Sequence, residues 1–168
     1  VGKDADCQAV KACAQFGYCA AKKGKCVAGT DAQCKASKSC KFSGLCTAVD
    51  GVCKATSDAD CKAANYCSER GACTARNGRC MPGSDADCAD NQPCSSHGTC
   101  TLKTHTTTKP WECVATSTVD CAASERCATA GHCSLSEERC VIGSNADCQQ
   151  SYVCKKDGAC YRSKHQSN

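Results

Sequence analysis

A chain of 168 residues with 23 cysteines and a net charge of +4 is bounded before any motif is read. With two phenylalanines, one tryptophan and four tyrosines, it lacks the large apolar side chains that a domain of this length normally buries. Cross-links must replace that core, at about 2–4 kcal/mol for each bridge. The charge is modest and changes sign along the chain, from Lys22, Lys23 and Lys25 through Glu125, Glu137 and Glu138 to Lys155 and Lys156, which excludes the one-signed track that nucleic-acid binding requires.

The chain opens on KDADC, ending at Cys7, and the phrase returns as TDAQC at Cys34, SDADC at Cys61 and Cys88, STVDC at Cys121 and SNADC at Cys148. From each of these first cysteines, the gaps to the second, third, fourth and next first cysteine are five, five, six and seven residues. Such strict self-similarity marks a stacked repeat array. The chain reads as a single array over 1–168, with repeats 1–33, 34–60, 61–87, 88–120, 121–147 and an incomplete sixth, 148–168.

Each repeat predicts the same elements in the same order. Ser57 is a good helix N-cap, and Asp60 three residues on completes a capping-box pattern; Thr30 with Gln33, Ser84 with Asp87, Ser117 with Asp120 and Ser144 with Asp147 repeat it. The other acid, such as Asp58 or Asp85, falls in the first turn, where the helix dipole favours it. One short Ala-rich helix follows, stopped by a glycine four residues after the second cysteine, at Gly17, Gly44, Gly71, Gly98, Gly131 and Gly158. Two short runs then meet at Lys-Gly, Asp-Gly or Asn-Gly, at Gly24, Gly51 and Gly78, which suits a tight hairpin turn. The predicted fold is a small disulfide-rich α+β repeat protein, its helix-plus-hairpin units of about 27 residues stacked as an elongated rod with minimal hydrophobic core.

The fourth repeat departs from the pattern. Pro93 is expected to interrupt its helix just before Cys94. Its hairpin gap, from Cys100 to Cys113, grows to twelve residues in CTLKTHTTTKPWEC. Alternation of Thr104, Thr106 and Thr108 suits extended strand, and the Thr run beside Pro110 suits O-glycosylation. Trp111, with His105 and Pro110, is the candidate partner contact, the indole acting as anchor. In the fifth repeat Glu137 and Glu138 fall at the hairpin tip as a solvated pair. In the sixth, Ser167 stands where the fourth cysteine belongs, and the usual turn glycine is missing.

Metal chemistry fits poorly. Calcium wants more oxygen ligands and a glycine-bearing loop, and the repeats replace acids with Gln33, Thr118 and Asn145. Zinc thiolates usually pair across two to four residues, whereas five is the shortest spacing here. The cysteines therefore read as disulfides, which need an oxidising compartment. With Val1 at the start and no long apolar run, the chain reads as processed and secreted, without a membrane span. Cysteines six apart on one helix differ by about 240° in azimuth, so Cys61 and Cys67 face different partners. The odd count leaves one thiol. Pairing each fourth cysteine with the next first leaves Cys7; first with fourth leaves Cys148; first with third and second with fourth leaves Cys154. The reading favours Cys7, because that scheme makes the fourth cysteine replaced by Ser167 dispensable. A twofold dimer could bridge the orphan thiol.

The histidines, His97, His105, His132 and His165, never share a repeat position, and no nucleophile, phosphate-loop or paired-carboxylate motif occurs. They are expected to be solvated surface side chains. No catalytic residue, cofactor or metal ligand is assigned. The phrase DADC…C…GxC…NGxC resembles the uncharacterised cysteine-rich repeat proteins of myxobacterium-like genomes across the whole chain. That resemblance implies secreted bacterial origin and carries no activity. The expected function is a non-enzymatic extracellular structural protein, assembling end to end into a surface fibre or matrix. The alternative is a secreted binding module, an adhesin or inhibitor, meeting a protein or glycan through the tip around Trp111.

Overall fold

The computed structural model describes residues 2–104 and 111–162. The chain divides into two compact units, Val1–Gly83 and Ser84–Asn168. In the first unit, repeat one gives α1 (Asp4–Gln8), α2 (Lys11–Phe16), β1 (Ala20–Lys22) and β2 (Lys25–Val27); repeat two gives α3 (Asp31–Lys35), α4 (Lys38–Ser43), β3 (Thr47–Val49) and β4 (Val52–Lys54); repeat three gives α5 (Asp58–Ala63), α6 (Asn65–Arg70), β5 (Thr74–Arg76) and β6 (Arg79–Met81). In the second, repeat four gives α7 (Asp85–Ala89), α8 (Gln92–His97), β7 (Thr101–Lys103) and β8 (Glu112–Val114); repeat five gives α9 (Thr118–Ala123), α10 (Glu125–Ala130), β9 (Ser134–Ser136) and β10 (Arg139–Val141); repeat six gives α11 (Asn145–Gln150) and α12 (Tyr152–Asp157). Each strand pair is a separate antiparallel two-stranded sheet. The fold is a disulfide-rich α+β repeat.

Where the sequence suggests one helix per repeat, there are two. The chain breaks three residues after the first cysteine, where the backbone turns extended; Ser124, for example, has φ −75° and ψ 150°. The break carries its own cap. The Ser37 hydroxyl donates to the Cys34 carbonyl at 2.7 Å and accepts from the Cys40 amide at 3.2 Å. Ser124 and Ser151 do the same, and Asn91 Oδ1 accepts from the Cys94 amide at 3.0 Å. Pro93 therefore interrupts nothing: it lies in the first turn of α8, where its missing N–H has no intrahelical acceptor to lose.

The second helix of each repeat ends on its left-handed glycine, as the spacing suggests; Gly44 has φ +70°. The hairpin turns also follow the dipeptides. Lys23–Gly24, Asp50–Gly51 and Asn77–Gly78 have positive φ at both central residues, the type I′ geometry that matches strand twist. Glu137 and Glu138 hold the same geometry at φ +48° and +62° without a glycine. In the fourth repeat Leu102 pairs with Cys113 as Ala75 does with Cys80. The insertion thus falls beyond the paired strands and leaves their register unchanged.

Disulfides supply the core. Second and third cysteines bridge across the stop glycine, with Cα atoms 4.5–4.6 Å apart. First and fourth cysteines bridge the first helix to the closing strand of its own hairpin, at 5.3–5.6 Å. Cys7 is therefore bonded to Cys26, correcting the expectation that it is the orphan, and Cys154 is bonded to Cys160. The physical reason is local: helix and hairpin of one repeat pack on each other, so the fourth cysteine never reaches the next repeat's first. Cys7, Cys34, Cys61, Cys88 and Cys121 are completely buried. Small apolar clusters surround them, such as Ala28, Cys34 and Cys53 against Tyr18, Leu45 and Ala48.

Successive repeats inside a unit meet through the same contacts. A methyl group on Gly17 would sit 2.8 Å from Cys53 Sγ and 2.9 Å from the Gln33 carbonyl; one on Gly98 would sit 2.7 Å from Cys140 Sγ. The stop glycine is thus demanded twice, by its backbone angle and by the next repeat's first–fourth bridge lying against it. Three hairpins are followed by a residue that donates to the next hairpin's turn: the Ala28 amide to the Gly51 carbonyl at 2.8 Å, Ala55 to Gly78 at 3.0 Å, and Ala115 to Glu138 at 3.1 Å.

Candidate functional site

Both acids of the repeated phrase have hydrogen-bonding work inside the fold. The third residue of the first helix accepts from the chain before it. Asp147 Oδ2 takes the Gly143 amide at 2.8 Å, the Ser144 amide at 3.2 Å and the Ser134 hydroxyl at 2.7 Å. Burial of this carboxyl works against its ionisation, but the donors from Ser134, Gly143 and Ser144 prevail and hold it below its ordinary value. Asp6 is lowered by the amides of Gly2 and Lys3. Gln33 Oε1 fills the same place, accepting from Gly29 at 2.8 Å and Thr30 at 3.2 Å. The other acid reaches the hairpin. Asp4, Asp31, Asp58 and Asp85 each accept, through Oδ1, the amide seventeen residues on, at 2.7–2.8 Å. Asn145 Oδ1 takes the Arg162 amide at 3.1 Å. The position needs an acceptor oxygen more than a charge, and a dipole argument alone misses this contact.

Among the described residues, Cys148 is the one cysteine outside a disulfide, and it is buried. Its backbone packs on the preceding repeat: a methyl on Gly131 would lie 3.1 Å from Cys148 Cα. Of the candidate contact residues, Trp111 is half-buried at the foot of β8 and is engaged with other residues. His105 and Pro110 lie outside the described residues, as do Thr106 and Thr108. Lys103, at the end of β7, pairs with Glu138 of the next hairpin tip.

The second unit contains a cleft of about 460 Å³ between repeats four and five, lined by His97, Thr99, Arg126, His132, Arg139, Cys140 and Val141. His97 closes α8, Arg126 lies in the first turn of α10, His132 follows the stop glycine Gly131, and Arg139 opens β10. The lining holds two guanidinium groups and no carboxylate. His132 Nδ1 lies 3.1 Å from the Cys140 carbonyl, an atom that can only accept, so Nδ1 carries the proton. The Ser96 hydroxyl donates to the Gln92 carbonyl at 2.6 Å, so it accepts from His97 Nδ1 at 2.6 Å. In both rings the proton is fixed on Nδ1 and Nε2 is left without a partner among the described residues.

Stacking alone brings these residues together, because His97 and His132 hold different positions in their own repeats. The equivalent surface of the first two repeats carries, by spacing, Phe16, Ser39, Leu45 and Val52 where the cleft has His97, Arg126, His132 and Arg139. Among the described residues no three His, Cys, Asp or Glu side chains converge as a metal site, and no helix is long and apolar enough to cross a membrane.

The class of protein is thus a repeat scaffold held by its own disulfides. Comparison with family models finds no match, and neither curated proteins nor solved structures yield a similar chain.

Proposed function

We propose that the chain is a non-enzymatic, secreted structural protein that associates end to end, each copy adding its repeats to those of the next. The observation that carries this reading is the difference between stop glycines. Gly17, Gly44, Gly98 and Gly131 are each covered by the first-helix end of the following repeat, whereas Gly158 has nothing within 4 Å among the described residues. In the proposed association, the face around Gly158 that earlier repeats use as a repeat-to-repeat contact receives the surface around Asp6 and Cys7 of a second copy's repeat one. Such a contact joins two different faces, so it propagates rather than closing a twofold dimer. Eleven disulfides suit an oxidising, extracellular setting.

The test is oligomer mass against concentration, by light scattering, for the chain and for Gly158→Asn. Asparagine tolerates the left-handed backbone but places a side chain on the open face. Concentration-dependent growth in the parent and its loss in the variant support the reading; a parent that stays monomeric ends it. A secreted binding module is the second reading, favoured by the basic cleft of the second unit.

A further inference from the structure

We infer that the cleft between repeats four and five binds a sugar carrying a sulfate or phosphate ester. This deepens the binding-module reading and is independent of end-to-end association, since Gly158 is not among the cleft residues.

Four features narrow the ligand class. First, Arg126 and Arg139 have no ion-pair partner among the described residues and face a lining free of carboxylate. Guanidinium groups in that condition favour planar, multidentate contact with an oxyanion. Second, the two imidazoles have Nδ1 engaged as donors, to the Cys140 carbonyl and to Ser96 Oγ. Their neutral form therefore offers Nε2 as an acceptor, which a fully ionised oxyanion such as sulfate cannot satisfy and a sugar hydroxyl can. A ligand bearing both an oxyanion and hydroxyl donors uses all four groups. Third, about 460 Å³ lies within the range of small-molecule sites and exceeds what a lone tetrahedral anion fills. Val141 and the Cys140 bridge give the wall an apolar portion for the face of a sugar ring. Fourth, the set is specific to this junction: the same register in the first two repeats has neither histidine nor arginine at these four positions.

The experiment is calorimetric titration of the full chain with glucose 6-sulfate, glucose 6-phosphate, inorganic sulfate, inorganic phosphate and glucose. At least one sugar ester should bind saturably at one site per chain, more tightly than its inorganic anion and than glucose. Which ester binds more tightly identifies the source of the oxyanion. Arg126→Gln and Arg139→Gln should each weaken binding roughly tenfold, the loss expected for one charge-assisted contact, while Lys22→Gln, in the first unit, changes nothing. Both arginines are exposed, and peptide mapping of the disulfides confirms that each variant is folded. Absence of saturable binding by either ester overturns the inference. So does equal affinity for the ester and the inorganic anion, or unchanged affinity in both arginine variants.

Discussion

At the scale of the residue, the acids of the repeated phrase act first as oxygen acceptors. Gln33 and Asn145 accept the same hydrogen bonds as the aspartates they replace, which explains why the phrase tolerates amides. Asp147 is the place where charge adds something, because it is buried and receives three donors on one oxygen. Its folded carboxyl is held below the ordinary value of 3.8. The stabilisation is therefore fully present above that value and is lost as pH falls through the lowered folded value. Asp147→Asn keeps an acceptor oxygen and loses the charge. In thermal melts, the parent should be more stable than this variant at neutral pH, with the gap closing as the solution is acidified below about pH 4. A gap that stays constant into strong acid would mean that the charge contributes nothing.

At the scale of the element, the unit is two capped helical turns and a type I′ hairpin. The first cap, the stop glycine and the hairpin turn were all readable from residue type, because few residues satisfy an extended N-cap or a positive φ. The second cap was not readable in the same way. Val10 and Ala64 occupy it without a side-chain bond, and Ser37, Asn91, Ser124 and Ser151 look like ordinary polar interruptions of an Ala-rich stretch. The usable signal was a Ser or Asn three residues before the second cysteine. That signal is weak by itself, because the same residues also occur as polar positions of a continuous helix. The cleft was illegible for a different reason: its four basic and imidazole groups share no repeat position, so only the stacking contact at Gly98 and the Cys121–Cys140 bridge brings them together. The caps can be weighed directly. Ser57→Ala removes the acceptor for the Asp60 amide and should cost about 0.5–2 kcal/mol. Ser124→Ala makes the substitution that repeat three already carries at Ala64, so its cost should stay near about 1 kcal/mol despite complete burial. Chemical denaturation with disulfides intact measures both, and a loss several times larger at Ser124 would mean that its hydroxyl, rather than the backbone break, holds the two helices together.

At the scale of the whole molecule, bridges stand where leucines and phenylalanines stand in other domains. The largest completely buried side chains are the first cysteines Cys7, Cys34, Cys61, Cys88 and Cys121, together with Ser124 and Ser151. Cys34, Cys61 and Cys121 each join their helix to their own hairpin through a bridge that lies against the stop glycine of the repeat before. Repeat six keeps the first cysteine, Cys148, and keeps the Asn145 bond to the Arg162 amide that starts the hairpin side. What it lacks, by spacing, is the fourth cysteine, replaced by Ser167. Native chain should therefore resist thiol alkylation and accept one label only after denaturation. Ser167→Cys should restore the missing bridge. The introduced thiol is separated from Cys148 by the same interval as the other first–fourth pairs, 19 residues. The variant should carry twelve disulfides, accept no label even when denatured, and gain about 3 kcal/mol through closure of that loop. Peptide mapping decides the outcome. An introduced thiol that stays free, or that displaces the Cys154–Cys160 bridge instead of joining Cys148, would show that the first–fourth pairing rule of the earlier repeats does not extend to the sixth.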